Sequence, residues 1–348
     1  MVVPPWYEVP PPGYGGLELV AAGLVDALTA RGHQVTVFGA GAYGGTTGRF
    51  VSTVGEPQQH RLGEALPELV HLARVNSLLA TADFDVLHDH TMVGPLLRRP
   101  PLPAVATVHN NPVGEFADLL RGADPQVGLV AISAAQRRLA PDLPWIGVVH
   151  NGVDMERIPR KQEPAADGPV LWLARFSADK GPEAAIRACR DAGLPLLLVG
   201  KCREPAEHRY LTDVIRPQLG ADVRVLLNVD RARCLELLLT ARCLIMPLQW
   251  EEPFGMVMVE AMATGTPVVA LSRGAVPEVV RHGVTGFSCA GPEELPRALS
   301  HAHRLDPQDC VRHVNDHFST DRMAAGYEQI YHRTVRAGGS STAPVADR

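Results

Sequence analysis

The hydrophobic residues of this chain form short apolar runs that alternate with segments of helical periodicity. Apolar runs end near residues 38, 88, 108, 133 and 149, and others occupy residues 170–174, 196–200, 223–227, 243–246, 267–270 and 287–289. Between them, apolar residues recur at helical spacing in segments such as 17–30, 66–80, 256–263, 292–305 and 321–335. Strands that alternate with helices predict an α/β protein built on parallel, doubly wound sheets.

A charged, proline-bearing segment at residues 155–168 divides this series into two sets and has the composition of a linker. With 348 residues, of which 46% are hydrophobic, the chain is long and apolar enough for two domains. We predict domains at residues 1–160 and 161–320, a helix at 321–337 that packs back on the first domain, and a disordered Gly/Ser/Ala/Pro-rich tail at 338–348.

Composition excludes several classes of function. The formal net charge of -5 gives no basic surface for nucleic acid. No apolar run approaches the roughly 20 residues of a membrane helix, and residues 1–5 do not have the pattern of a signal peptide. The six cysteines include no Cys-x-x-Cys pair, which argues against a disulfide framework or a zinc knuckle. These features favour a reduced, cytoplasmic enzyme.

The segment from Met246 to Ala270 carries the clearest chemistry. Its pattern predicts a strand, a polar loop, a helix over residues 256–263 and a second strand. The N–H groups at the start of such a helix attract anions. Glu252 lies on the loop, and Glu260 follows two helical turns, or about 12 Å, further on. Acids at both ends of a phosphate-binding helix suit a nucleotide sugar, which has hydroxyl groups on both sides of a diphosphate.

Other motifs in the chain are compatible with a dinucleotide site or a metal site, but the surrounding residues argue against these interpretations. Residues 39–44 match G-x-G-x-x-G, but loop composition follows them where a dinucleotide site requires a helix. His88 and His90 lie on one face of a predicted strand, so a metal pair is an alternative to a polar lining near the acceptor. His313 and His317 stand four residues apart without a matching carboxylate, and we interpret them as surface residues.

The sequence Glu252-Pro253-Phe254-Gly255, followed by residues 259–270, resembles the acidic signature of the retaining family 4 glycosyltransferases, or glycosyl transferases group 1. The resemblance extends over nearly the whole chain. It implies the GT-B fold, in which two Rossmann-like doubly wound domains face a cleft. The family usually has a full strand before a segment like residues 4–7. Only residues 1–3 precede it here, so we expect a stunted first strand or a start codon placed too late.

The resemblance also assigns roles to individual residues. Arg175 and Lys180, in Ala-Arg-Phe-Ser-Ala-Asp-Lys-Gly, match the diphosphate-binding loop, where two cations neutralise the leaving group. Glu260 matches the acid that binds the ribose, Glu252 the acid that binds the donor sugar, and His109 the histidine beside that sugar. The other predicted donor-binding residues are Gly15, Gly16, Pro253, Phe254, Gly255, Met256 and Val257.

On the acceptor side we predict Tyr7, Glu18, His88 and His90. Residues 227–228 replace a loop that frequently contains glycine in relatives, so the residues that contact the base are left unassigned. The implied reaction is transfer of a hexosyl-type residue from a nucleotide-diphosphate sugar to an acceptor hydroxyl with retention of configuration. No metal or other cofactor is expected, because the positive side chains take the place of Mg²⁺. A UDP sugar is preferred over GDP-mannose as donor.

Several alternatives stay open at this level. One is a sugar- or nucleotide-binding protein whose catalysis has lapsed, although His109, Arg175, Lys180 and Glu252 are all present. Another is a phosphorylase or epimerase of the same fold. The acceptor is a small molecule, a lipid or a glycan, and peripheral contact with a membrane is compatible with the sequence. The donor sugar and the oligomeric state are not determined.

Overall fold

The computed structural model describes residues 1–11, 13, 15–42, 45–96 and 102–339, which form two compact units. The first unit contains Met1–Gly152 and the C-terminal segment that begins at Thr320, and the second contains Val153–Ser319. The predicted linker therefore belongs to the second unit. The boundary between the units lies between Gly152 and Val153, earlier in the chain than the predicted boundary at residue 160. Within the linker, Lys161 is anchored to the second unit because its Nζ donates to the Ala241 carbonyl at 2.7 Å.

The first unit is a parallel sheet flanked by helices. In chain order its elements are α1 (Gly16–Ala30), β1 (Thr36–Ala40), β2 (Arg49–Val54), α2 (Ala65–Leu79), β3 (Leu87–Asp89), β4 (Ala104–Val108), α3 (Glu115–Arg121), β5 (Val127–Ala131), α4 (Ala134–Leu139) and β6 (Trp145–Val148). β1 pairs with β2, while β3 to β6 pair in sequence order. β4 is buried along its whole length, as expected of a parallel strand covered on both faces.

The N-terminal residues link the two parts of this sheet. Val2 forms parallel bridges to Phe38 of β1 and to Asp89 of β3. The Val2 amide donates to His88 O at 2.8 Å, and the His90 amide donates to Val2 O at 2.9 Å. Residues 1–3 thus occupy the position of a central strand, although hydrogen bonding there is too short to count as a regular strand.

The C-terminal helix (Thr320–Gly339) belongs to the first unit, where it packs against α1. Arg31, which caps α1, pairs with Asp321 and Glu328 of this helix, in each case at 2.7 Å. The helix extends through Gly339, so residues 338–339 are helical rather than part of the predicted disordered tail. The rest of that tail, residues 340–348, lies outside the described residues.

The second unit has a six-stranded parallel sheet. Its elements in chain order are β7 (Val170–Arg175), α5 (Pro182–Ala192), β8 (Leu196–Lys201), α6 (Pro205–Tyr210), β9 (Val223–Leu227), α7 (Arg231–Thr240), β10 (Cys243–Met246), α8 (Met256–Ala263), β11 (Val268–Leu271), α9 (Val276–Val279), β12 (Gly286–Cys289), α10 (Leu295–Ala302) and α11 (Pro307–Phe318). The strand order is β12-β11-β10-β7-β8-β9. The order reverses between β7 and β10, and ligands of doubly wound sheets bind at such a switch point.

Most predicted elements are confirmed, and the helix predicted at residues 256–263 is α8. The sequence does not predict four elements, namely β2, α3, α9 and α11. All six cysteines lie in the described part of the chain, and each is a free thiol. Among the described residues, no helix combines the length and hydropathy that a membrane span requires.

Candidate functional site

In the second unit, the loops after β7 and β10 meet at the carboxyl edge of the sheet, on either side of the switch point. The Gln249 amide donates to the Asp179 carbonyl at 2.8 Å, which joins the two loops. Gly181 has a φ of +65°, and a Cβ there would lie 2.1 Å from the Pro247 carbonyl oxygen. Only glycine therefore allows the two loops to approach this closely.

Lys180 and Glu252 form an ion pair across this junction. Lys180 Nζ lies 2.7 Å from Glu252 Oε2, and both side chains are largely buried. Trp250 Nε1 donates to the same oxygen at 3.1 Å, and Lys180 Nζ lies 4.2 Å from the centre of the Trp250 ring. All these contacts of the carboxylate involve Oε2. Glu252 Oε1 has no recorded partner among the described residues, and this oxygen can accept a ligand hydroxyl.

Arg175 lies on the same edge and is held by Asp179. Arg175 Nη2 donates to Asp179 Oδ2 at 3.3 Å, and that oxygen is 4.0 Å from Lys180 Nζ. Burial acts to raise the pKa of Asp179, but the nearby Ser177 side chain and the charges of Arg175 and Lys180 outweigh it, so the pKa is below its usual value. The ionised Asp179 thus lies next to two cations, and both are of the kind that binds phosphate oxygens in proteins.

The backbone of Glu252 is fixed by the loop after β11. The Ala275 amide donates to the Glu252 carbonyl at 2.8 Å. Gly274 has a φ of +55°, and a Cβ there would lie 2.2 Å from the Glu252 carbonyl oxygen and 2.3 Å from its nitrogen. The backbone of Glu252 is thus packed closely against Gly274 and bonded to Ala275, while the ion pair with Lys180 holds the carboxylate itself.

The predicted turn at the start of α8 lies directly after Glu252. Gly255 is the N-cap residue with a φ of +87°, and no side chain caps the helix there. The Phe254 side chain is buried against Phe318, with ring centroids 5.9 Å apart, so only its backbone can serve a ligand. Pro253 is also buried, whereas Met256 and Val257 are partly exposed. The amide groups of this turn lie at the start of α8, where the sequence predicts that an anion binds.

Glu260 is partly buried on α8 and is paired with Arg231, a residue for which the sequence predicts no role. Arg231 Nη2 and Nε donate to Glu260 Oε1 at 2.9 and 3.1 Å. Oε2 of Glu260 has no recorded partner among the described residues. One carboxylate oxygen is thus used to fix the side chain, and the other can accept hydrogen bonds.

The loop after β9 contains a residue in a backbone conformation that favours glycine. Asn228 adopts a left-handed backbone with a φ of 54°. Its side chain accepts from the Cys202 amide at 2.9 Å and donates to the Cys202 carbonyl at 3.0 Å. Asparagine tolerates this conformation better than most residues, so it can replace a glycine here.

In the first unit, three histidines cluster at the carboxyl ends of β3 and β4. His90 Nδ1 and His109 Nε2 are 2.9 Å apart, and the ring centroids of His88 and His90 are 4.1 Å apart. Both nitrogens of His88 are engaged, with Tyr331 Oη and Thr107 Oγ1 at 2.7 Å each, so His88 cannot bind a metal without losing one of these bonds.

Gly15, Gly16 and Glu18 lie at the start of α1. Gly15 is its N-cap residue, and a Cβ there would lie 3.0 Å from Glu18 Oε2. Glu18 is buried, and burial raises the pKa of its carboxyl group to about 7, although a hydrogen bond from its own amide acts in the opposite direction. Tyr7 is partly buried in the loop after the N-terminal residues. The structure therefore places a protonatable acid beside the predicted glycine pair.

The histidine cluster predicts a specific dependence of stability on pH. Burial lowers the pKa of His88 and His90 well below the usual range and that of His109 to about 4. Above pH 6.5 these groups are neutral in both states, so their contribution is intact. As the pH falls below 6.5, these histidines become protonated in the unfolded chain but stay neutral in the folded protein. The free energy of unfolding therefore decreases by about 1.4 kcal/mol per pH unit for each histidine.

We expect His88→Gln to weaken this dependence. Glutamine does not titrate, so between pH 6.5 and 5 the variant should lose about 2 kcal/mol less unfolding free energy than the unmodified protein. The measurement is urea unfolding at both pH values. Other titrating groups contribute equally in both proteins, so their effects cancel in the comparison. One such group is Glu18, whose raised pKa favours the folded state at low pH. Equal losses in both proteins would show that His88 is not held neutral by burial.

Comparisons with known proteins agree with this arrangement. The family described as Glycosyl transferases group 1 matches residues 154–306, and Glycosyltransferase Family 4 matches residues 14–157. A phosphatidyl-myo-inositol mannosyltransferase of Mycobacterium tuberculosis is 30% identical over 321 residues, covering 82% of this chain and 80% of the relative. A glycogen synthase of the same organism is 28% identical over 341 residues, covering 82% of this chain and 81% of the relative.

Comparison with a solved structure also indicates similarity to a glycosyltransferase. AviGT4, a glycosyltransferase involved in avilamycin A biosynthesis, superimposes with a TM-score of 0.74 at 26% identity, covering 96% of this chain and 97% of that one. The chain is therefore a glycosyltransferase with the GT-B fold. It belongs to glycosyltransferase family 4.

Proposed function

We propose that this enzyme transfers a glycosyl residue from a nucleoside-diphosphate sugar to an acceptor hydroxyl with retention of anomeric configuration. The observation that carries the proposal is the Lys180–Glu252 pair at the switch point, 2.7 Å between Nζ and Oε2, with Arg175 held beside it by Asp179. Two cations, a carboxylate and a free helix terminus together match a diphosphate that bears a polyhydroxylated sugar.

The proposed roles follow from the charges. Lys180 and Arg175 stabilise the negative charge that develops on the diphosphate as the glycosidic bond breaks. Glu252 Oε1 accepts hydrogen bonds from donor-sugar hydroxyls, and Glu260 Oε2 accepts them from the ribose. The backbone amides at the start of α8 bind the phosphate or sugar oxygens. His109, in the first unit, acts beside the donor sugar.

The reaction needs no nucleophilic side chain. Departure of the nucleoside diphosphate leaves an oxocarbenium-like sugar, which an acceptor hydroxyl attacks from the face that the leaving group vacates. The hydroxyl proton passes to the departing phosphate, so charge and protons balance. Because Lys180 and Arg175 supply positive charge where Mg²⁺ does so in other enzymes, the proposal includes activity without an added metal.

The donor is proposed to be a UDP sugar, and the acceptor a hydroxyl group of a small molecule, a lipid or a glycan. The name of one relative specifies a mannosyl group and phosphatidyl-myo-inositol, and that of another specifies glycogen. The acceptor therefore varies among relatives that are about equally similar to this chain. Predicted acceptor-side residues are Tyr7, Glu18, His88 and His90, all in the first unit.

Thermal-shift measurements with UDP, GDP, ADP and TDP, followed by donor hydrolysis in EDTA, test the proposal. We expect one diphosphate to raise the melting temperature most, and the corresponding sugar nucleotides to be hydrolysed slowly without metal. NMR of the released or transferred sugar should show the donor's configuration. Nucleotide binding without hydrolysis of any donor would indicate a binding protein whose catalysis has lapsed. Formation of product without nucleotide release would indicate a phosphorylase or an epimerase.

A further inference from the structure

The first unit contains a stack of imidazoles that the proposed reaction does not explain in full. His88, His90 and His109 follow one another across β3 and β4, with centroid distances of 4.1 Å for the first pair and 5.2 Å for the second. Only His109 has a proposed contact with the donor. The other two rings are buried, and each exposes only 3% of its surface.

The inner end of the stack is anchored by hydroxyl groups. His88 Nδ1 bonds to Tyr331 Oη and His88 Nε2 to Thr107 Oγ1, and Thr107 Oγ1 also bonds to Tyr327 Oη, each at 2.7 Å. Tyr327 and Tyr331 come from the C-terminal helix of the same unit. The His88 ring is thus fixed by three polar side chains, and it forms a rigid surface on which the His90 ring lies.

The outer end is a direct bond between two histidines. His90 Nδ1 and His109 Nε2 are 2.9 Å apart. Burial lowers the pKa of both rings, so both are neutral near pH 7. Two neutral imidazoles share one proton in such a bond, because each ring carries a single N–H. Either His90 donates from Nδ1, or His109 donates from Nε2.

The remaining nitrogen of His90 distinguishes these two cases. His90 Nε2 is buried and has no hydrogen-bond partner among the residues that the structure describes. If His109 were the donor, this atom would carry a buried N–H without an acceptor. If His90 is the donor, Nε2 carries only a lone pair. In proteins, a buried N–H group without an acceptor is rarer than a buried acceptor without a donor. The arrangement in which His90 is the donor is therefore favoured.

We propose that His90 is a positioning residue that donates its Nδ1 proton to His109 Nε2 and thereby fixes His109 as the Nδ1–H tautomer. His109 then presents a neutral donor, rather than an acceptor or a cation, to an oxygen of the bound sugar nucleotide. No recorded hydrogen bond occupies His109 Nδ1 within the described ranges. That the ligand is a sugar nucleotide rests on the proposed function, whereas the tautomer itself does not.

The direct test is the ¹⁵N NMR spectrum of the ligand-free, full-length enzyme labelled at histidine, with His109 assigned by its loss in His109→Asn. We expect the His109 signals of a ring protonated at Nδ1 and bare at Nε2. Signals of an Nε2–H ring or of a rapidly exchanging mixture would overturn the proposal. This measurement needs no substrate, so it remains decisive even if no donor is turned over and the proposed function fails.

Variants then separate positioning from mere packing. His90→Phe keeps a ring but removes the donor, so His109 should lose its fixed tautomer, and kcat should fall about tenfold to a hundredfold with less change in KM. His90→Asn places an amide nitrogen near the position of Nδ1. This variant should therefore restore most of the His109 tautomer population and most of kcat. Unchanged tautomer and kcat in folded His90→Phe would contradict the proposal.

His71→Phe is the matched control. His71 is likewise fully buried in the first unit and bonds through Nδ1 to a hydroxyl, Thr53 Oγ1, at 2.5 Å. Its replacement makes the same chemical change on α2, at a residue to which no role in the site is assigned. We expect it to leave the His109 spectrum and kcat unchanged. A loss of kcat equal to that of His90→Phe would mean that removal of any buried histidine has this effect, and the proposal would fail.

Discussion

Replacement of Lys180 by alanine is expected to lower kcat at least a hundredfold, the scale of losing one preorganised charge at a reacting centre. Lys180 Nζ is held by Glu252 at 2.7 Å and lies over the Trp250 ring at 4.2 Å, so its position is set before the donor arrives. Without it, the departing diphosphate would lose a largely buried cation at the switch point. Steady-state release of nucleoside diphosphate from the donor is the measurement.

The control for this variant is Arg190→Ala. It removes another cation that pairs with a carboxylate in the same unit, since Arg190 Nε lies 2.8 Å from Asp222 Oδ2. Asp222 precedes β9, so this pair is at the opposite edge of the sheet from the switch point. We expect its kcat to change less than about threefold, because the pair lies away from the switch point and an exposed ion pair contributes at most about 1 kcal/mol to stability. Turnover of Lys180→Ala close to that of the unmodified enzyme would refute the role of Lys180.

Glu252→Gln is expected to lower kcat by a similar factor, also at least a hundredfold. The substitution keeps the shape of the side chain but removes its charge. Two consequences add: the donor-sugar hydroxyls lose an anionic acceptor at Oε1, and Lys180 loses its partner at Oε2. Circular dichroism should show unchanged secondary structure, because Gly274 and Ala275 fix the Glu252 backbone independently of its side chain.

The neighbouring Glu251→Gln provides the comparison for Glu252. Glu251 is exposed on the same loop, and its Oε2 accepts from the Gly274 amide at 2.5 Å. A glutamine oxygen can still accept that bond, so we expect little loss of turnover. If both variants lost activity equally, the loop as a whole rather than the Glu252 carboxylate would be responsible. Full activity in Glu252→Gln would contradict the assignment of Glu252 as an acceptor of sugar hydroxyls.

The sequence predicts buried elements better than exposed ones, for a physical reason. Central strands such as β10 are buried at every position, and they appear in the sequence as continuous apolar runs. β2 lies at the edge of its sheet with mostly partly exposed side chains, and it has no such run. α11 was missed although it has clear signals: Asp306 is its N-cap, Pro307 its first residue, and buried residues recur from Cys310 to Phe318 at helical spacing.

In the candidate site, contacts between residues adjacent in sequence can be predicted, whereas contacts between residues far apart in sequence cannot. The turn before α8 can be predicted because loop and helix are adjacent in sequence. The bond between Lys180 and Glu252 joins residues 72 positions apart, and it depends on β7 and β10 being neighbours. Trp250 and Arg231 were missed for this reason, since each acts by fixing a carboxylate that only the fold brings within reach. Asn228 shows the limit of motif comparison, because it adopts a glycine-like conformation without the glycine.

The most direct test of the central claim is calorimetric comparison of a nucleoside with its diphosphate, as uridine against UDP and guanosine against GDP. For the nucleotide that the enzyme uses, we predict that the diphosphate binds at least about tenfold more tightly than the nucleoside, a difference of 1.4 kcal/mol or more. That difference should largely disappear when Arg175 and Lys180 are both replaced by alanine. Equal binding of nucleoside and diphosphate, or a difference that survives the double replacement, would show that the diphosphate is held elsewhere.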